Sequence, residues 1–242
     1  MSDITFLGAA RTVTGSRHLL RTTDGRRVLV DCGMFQGLKA LRERNWHELG
    51  VTATDIDAVI LTHAHLDHCG WLPKLVASGY TGRIFCTPGT SELCSLVLPD
   101  AGRIQEEDAR QANKHGYSKH HPALPLFTED EARKALMHLQ PVSYGVPVPV
   151  APGVTLEFIG AGHLLGSAFA RVTLADAPKT ILFGGDLGRY DRPVLPDPAP
   201  VAEADVLLLE STYGNRTHGA DDGGAELARV VNDTVERGGR VV

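Results

Sequence analysis

Three imidazoles and one carboxylate fall within six consecutive positions in the run Thr62-His63-Ala64-His65-Leu66-Asp67-His68. They offer the nitrogen and oxygen donors that zinc prefers. In a tight loop, alternate residues point to different sides. His63 and His65 are therefore placed to serve one metal, and Asp67 and His68 another. Further candidates stand where apolar, strand-like runs end: Asp31 after Val28-Leu29-Val30, His163 after residues 156–162, Asp186 after Ile181-Leu182-Phe183, and Glu210 after Val206-Leu207-Leu208-Leu209. Strand ends are where open α/β sheets gather their sites. A lone carboxylate in such a place is more often a turn or helix-cap residue; beside the histidine run, these residues complete a ligand set.

The expected arrangement puts His63, His65 and His163 on a first metal, Asp67 and His68 on a second, and Asp186 between the two. Asp31 is better read as orienting a ligand, because ligating histidines usually donate their other N–H to a carboxylate. Two cations about 3.5–4 Å apart lower the pKa of a shared water, which then attacks an electrophilic carbon or phosphorus. Zinc fits these donors best; manganese and iron also accept a His/Asp set.

The elements around these residues can be read from hydrophobic patterning. Strands are expected at residues 5–8, 16–22 and 27–30, with Asp24-Gly25 as a hairpin turn. Others are expected at 57–61, 83–86, 155–158, 168–174, 180–183 and 206–209. Helices are expected at 71–78 (stopping at Gly79), 91–114 and 224–237, and another starts at Thr128 with Glu131 completing a capping box. Residues 117–126 hold Pro122 and Pro125 and read as an irregular surface loop carrying Lys119, His120 and His121. Strands come in clusters with helices between the clusters, which predicts stacked layers with helices outside rather than a simple Rossmann winding. Residues 238–242 read as a turn entering a new strand, so the sequence is expected to be part of a longer protein.

The 242 residues carry a formal net charge of −5, with no overall basic balance of the kind a sequence-independent nucleic-acid binder has. A metal cluster adds positive charge that residue counting omits, and Arg11, Arg17, Lys39, Arg42 and Arg44 are candidates to line a path for a polyanion. No apolar run approaches the roughly 20 residues of a membrane helix, and the N-terminus lacks signal-peptide character, so a cytoplasmic protein is expected. Cys32, Cys69, Cys86 and Cys94 show no CxxC spacing and read as buried free thiols.

The motifs resemble the metallo-β-lactamase superfamily. Asp31, the His-x-His-x-Asp-His run at 63–68, His163 and Asp186 match its first four motifs in order. The resemblance implies an α/β fold of the αβ/βα sandwich type, here incomplete at its C-terminal end. A narrower resemblance, to the β-CASP branch of RNA-processing nucleases, rests on four other segments. These are Gly8-Ala9-Ala10-Arg11-Thr12-Val13-Thr14-Gly15-Ser16, Asp31-Cys32-Gly33-Met34-Phe35-Gln36-Gly37, residues 160–168 around His163, and Glu210-Ser211-Thr212-Tyr213-Gly214-Asn215-Arg216. The last matches that branch's motif A, in which the acidic residue, here Glu210, supports the site.

This resemblance implies a metal-dependent RNA phosphodiesterase with two zinc ions, RNA as partner, and a homodimer, since dimerisation is common among such proteins. Asp67, Asp31 and Glu210 are the carboxylates expected to serve catalysis. Residues 1–218 would form the catalytic domain and 219–242 the start of the inserted β-CASP domain. The later histidines of that branch have no match: His218 is the only histidine after His163, so the second metal would lack one ligand within this sequence. The alternatives are a small-molecule ester or thioester hydrolase using the same site, and a non-catalytic scaffold paralogue.

Overall fold

The computed structural model describes residues 2–175, 179–217 and 224–241. His218 and residues 219–223, where the inserted domain was expected to begin, lie outside the described residues.

Chain contacts divide the protein into Met1–Glu210 and Ser211–Val242. The first unit opens with β1 (Asp3–Phe6), β2 (His18–Arg21) and β3 (Arg27–Val30), which pair antiparallel in sequence order. After α1 (Lys39–Glu43), β4 (Ala58–Ile60) joins β3 in parallel. The helical turn α2 (Leu66–Cys69) and α3 (Leu72–Ala77) then lead to β5 (Arg83–Cys86), and α4 (Pro88–His115) and α5 (Glu129–Leu136) lead to β6 (Leu139–Pro141). Both β5 and β6 add in parallel, as strands joined through helical crossovers do. A second sheet holds β7 (Val148–Ala151), β8 (Val154–Gly160), β9 (Ala168–Leu174), β10 (Lys179–Phe183) and β11 (Val206–Leu208), in the order β11-β10-β9-β8-β7.

Strand alternation builds the layers, because successive side chains point to opposite faces. Val28 and Val30 of β3, Ala58 and Ile60 of β4 and Phe85 of β5 pack between the sheets against Leu156, Phe158, Ala170, Val172, Ile181 and Phe183. Their sequence neighbours Leu29, Val59, Ile84 and Cys86 face the other way, into a core shared with Leu72 and Leu75 of α3 and Leu98 of α4. The expected layered α/β sandwich is present, and the loops after β3, β4, β8 and β10 carry the candidate residues. The four cysteines are buried and free, as expected.

Several elements differ from the sequence reading. Residues 66–69 form a helical turn rather than continuing a loop, so Asp67 and His68 are helical. Backbone bonds from neighbouring loops fix that turn: Ser16 N donates to the Asp67 carbonyl (2.8 Å), Cys32 N to that of His68 (2.7 Å) and Met34 N to that of Leu66 (2.9 Å). α4 starts at Pro88, three residues before the expected Ser91, because the Thr87 hydroxyl caps Thr90 N and proline suits the first turn. Residues 239–241 form no strand, since a strand needs a hydrogen-bonded neighbour and none pairs with them among the described residues. The second unit, taken by itself, holds turns at 211–216 and the amphipathic helix α6 (Ala225–Glu236).

Arg17 is not available to line a polyanion path. It is buried between the rings of Phe35 (5.0 Å) and Trp71 (4.6 Å), and its Nε donates to the Gly33 carbonyl at 2.8 Å. Residues 117–126 are irregular, with Lys119, His120 and His121 exposed, as expected of a surface loop. No described helix is long and apolar enough to cross a membrane.

Candidate metal centre

β4 delivers the histidine run to the sheet edge. Thr62 follows two residues after the buried strand, His63 is buried next to it, and His65 precedes α2. β8 runs out into the loop carrying His163, and β10 into the tight Gly184-Gly185-Asp186 segment. There Gly185 adopts a φ of 52°, and a side chain on it would meet that of Thr62 at 2.8 Å.

His63 Nε2 and His163 Nε2 each lie 3.1 Å from His65 Nδ1. The Asp186 Oδ2 atom is 3.7 Å from His63 Nε2 and 3.5 Å from His163 Nε2. One ligand atom from each of these four residues falls within 4.8 Å of the others. Two imidazoles on a tetrahedral zinc, with bonds of about 2.0–2.1 Å, have their nitrogens about 3.3 Å apart. Burial first, and then the neighbouring imidazoles, hold the pKa of His63 well below its ordinary value; burial and His163 lower that of His65. Neutral imidazoles with their nitrogens turned toward one point suit a cation, because a metal ligand must be deprotonated. The donors present therefore fit a metal ion.

A second set adjoins the first. His68 Nε2 lies 3.2 Å from Asp186 Oδ1 and 3.9 Å from Asp67 Oδ2. Asp186 thus turns one oxygen toward the three-histidine group and the other toward His68. Burial acts to raise its carboxyl pKa, but the His68 hydrogen bond and the nearby imidazoles outweigh that and hold it below the usual range.

Asp31 stands behind His68. Its Oδ2 is 2.7 Å from His68 Nδ1 and accepts from Ser16 Oγ at 3.2 Å, and its Oδ1 accepts Thr62 N at 2.9 Å. Burial acts to lower the His68 pKa; Asp31 and Asp186 overcome it and push the value up to about 10. Asp31 itself adopts a φ of 59°, a backbone state that aspartate tolerates better than most residues. Glu210 is farther out. Its Oε1 accepts Leu187 N at 2.8 Å, which fastens the turn just after Asp186.

The structure thus brings together His63, His65, His163 and Asp186 as one group, with Asp67 and His68 beside it and Asp31 behind His68, while Glu210 reaches only the turn after Asp186. Sequence reasoning missed Thr62, whose Oγ1 lies 3.0 Å from His63 Nδ1 and 3.0 Å from both Asp31 oxygens. Its place directly before the first histidine was the available signal. Ser167 was also missed, because its hydroxyl acts on the backbone N–H groups of His163 and Leu164 rather than on a ligand side chain.

The layered fold and this histidine–aspartate edge are of the metallo-β-lactamase kind, and residues 14–84 match the family model of the metallo-β-lactamase superfamily. Over 97% of its length the chain is 41% identical to ribonuclease TTHA0252 of Thermus thermophilus, covering 49% of that protein. Over 99% of its length it is 32% identical to the transcription termination factor FttA of Methanocaldococcus jannaschii, covering 36% of it. The chain therefore spans about half of the first relative and about a third of the second. A solved Cronobacter sakazakii metallo-β-lactamase described by its HARLDQ motif aligns over 78% of this chain and 62% of that one, at 26% identity and a TM-score of 0.46.

Proposed function

We propose that the chain is the metal-binding portion of a ribonuclease of the β-CASP branch, with two zinc ions as the native cofactor and RNA, in the cytoplasm, as the whole protein's substrate. The observation that carries this reading is the position of Asp186, whose oxygens face two separate nitrogen groups 3.2–3.7 Å away. The name of the Thermus relative supports RNA as the substrate.

In this reading His63, His65 and His163 would hold one ion, Asp67 and His68 the other, and Asp186 would serve both. The chemistry a metal pair supplies when bound is activation of a water for attack on phosphorus and neutralisation of the charge that builds there. Asp31 keeps the His68 ring turned toward the site by engaging its Nδ1. Thr62 does the same for His63 and is itself locked to Asp31. Asp67 would offer its carboxylate to the second ion, and Glu210 anchors the backbone just after Asp186. Pairing of two copies into a homodimer is a further part of the proposal, to be read by sedimentation.

The test is elemental analysis of the purified chain and of His65→Ala. Up to two zinc ions per chain in the wild type, falling sharply in the variant, support the reading; one ion says that the His63–His65–His163 group fills alone. Absence of metal after growth with zinc would sink it. A labelled RNA, a generic phosphodiester and a thioester, assayed side by side, then separate the nuclease from a small-molecule hydrolase. Zinc-dependent thioester turnover without RNA cleavage would favour the hydrolase, and the chain's net charge of −5 is the one feature that leans that way.

A further inference from the structure

His163 is held differently from His63 and His68. Thr62 Oγ1 engages the rear nitrogen of His63 and Asp31 that of His68. The Nδ1 of His163 has no hydrogen-bond partner among the described residues, and its side chain is 26% exposed, against 1% for that of His63. The ring packs edge-on against His63 and His65 on the metal side, but nothing among the described residues engages it from behind. Its aim from behind therefore depends on the backbone of the loop 161–167.

That loop is fastened from two sides. Within it, the buried Ser167 hydroxyl accepts both His163 N (2.9 Å) and Leu164 N (3.2 Å), and Ser167 N donates to the Leu164 carbonyl at 3.0 Å. From outside, hydroxyls at the start of α4 converge on one carbonyl. Thr87 Oγ1 lies 2.6 Å from Gly166 O, and Thr90 Oγ1 lies 2.9 Å from the same oxygen. A carbonyl has two lone pairs and each hydroxyl one proton, so both bonds form at once, and Thr87 Oγ1 still accepts Thr90 N. Both threonines are fully buried.

The loop sits directly on the helix backbone at this point. Gly166 has a φ of 83°, and a Cβ on it would lie 2.2 Å from Thr90 N. A third hydroxyl, that of Tyr144, donates to the Ser167 carbonyl at 3.0 Å from the segment between β6 and β7.

We infer that Thr87, Thr90 and Tyr144 form a hydroxyl clamp that positions His163 for metal binding, working through Gly166 and Ser167 on a ligand whose rear ring nitrogen has no partner of its own. The three are positioning residues and touch no reacting atom. The inference rests on the metal-centre reading above. Removal of outer hydrogen-bond partners of a metal ligand typically weakens metal binding about 10–100-fold. Here one donor to Gly166 survives removal of the other, so the low end of that range is expected.

The experiment compares wild type, Thr90→Val, Thr90→Ser and Tyr144→Phe by zinc titration against a chromophoric chelator. Cobalt(II) substitution is run in parallel, its visible absorption reporting ligand geometry. Thr90→Val should bind zinc about tenfold more weakly and show an altered cobalt spectrum. Thr90→Ser should return both to within about twofold of wild type. Tyr144→Phe removes a half-exposed hydroxyl and cannot empty the core, so it decides the matter if Thr90→Val fails to fold; about threefold weaker binding is expected. The clamp is refuted if the folded variants bind zinc like wild type and only their metal-free melting temperature falls, since a purely structural role would do that. Wild type that binds no zinc would overturn the metal-centre reading and the clamp together.

Discussion

Asp31 is the residue on which most of the site's order converges, because one buried carboxylate serves Ser16, Thr62 and His68. Asp31→Asn keeps the shape and tolerates the positive φ, yet it replaces one acceptor oxygen with an N–H₂ that cannot receive a donor. The expected outcome is a folded protein whose zinc affinity on the His68 side drops about 10–100-fold, checked by titration with His65→Ala as the contrasting loss on the other side. Gly33 makes the opposite kind of demand. A Cβ there would lie 1.6 Å from the Asp67 carbonyl oxygen, which is backbone and cannot turn aside. Gly33→Ala should therefore destabilise by about 3 kcal/mol, as severe overpacking does, with α2 displaced; urea unfolding measures it. Asp31, the histidine run, His163 and Asp186 could be read from sequence because each is a polar residue ending an apolar strand. Thr62 and Ser167 were not read, since Thr62 is tied to Asp31 from a distant loop and Ser167 acts only on the backbone of its own loop.

At the scale of elements, legibility followed how locally each one is determined. β3, β5 and β9 match the expected strands to within the residue because alternation and flanking turns define them. The start of α5 was also legible: Thr128 Oγ1 accepts Glu131 N while the Glu131 carboxylate accepts Thr128 N at 2.8 Å, a closed capping box. Thr128→Ala should cost about 1 kcal/mol and lower the melting temperature by about 2–4 °C, with zinc affinity unchanged because α5 contributes no site residue. A calorimetric scan paired with a zinc titration checks both halves. The helical turn α2 was not legible. Four residues cannot sustain a helix by propensity, and its shape comes from the hydrogen bonds that Ser16, Cys32 and Met34 supply. The most chemically loaded element of the chain is thus the one least determined by its own sequence.

Across the first unit as a whole, the site joins parts of the chain that otherwise belong to different sheets. His63, His65, Asp67 and His68 issue from the sheet of β1–β6, and His163 and Asp186 from the sheet of β7–β11. A cation shared by these residues would cross-link the two layers at their open edge, and the unfolded chain, with its ligands dispersed, would bind it far less well. Binding to the folded state alone stabilises by about 2.7 kcal/mol at a free metal concentration 100 times the dissociation constant. For a domain of this size each kcal/mol raises the melting temperature by about 2–4 °C. Zinc added to chelator-treated protein should therefore raise it by about 5–10 °C, saturating with occupancy of the site. His65→Ala removes a donor from one sheet and His163→Ala from the other, and both should lose most of this increment while their metal-free melting temperatures stay close to that of wild type. An equal zinc-induced rise in wild type and both variants would place the stabilising metal elsewhere and break the link between these histidines and the joining of the sheets.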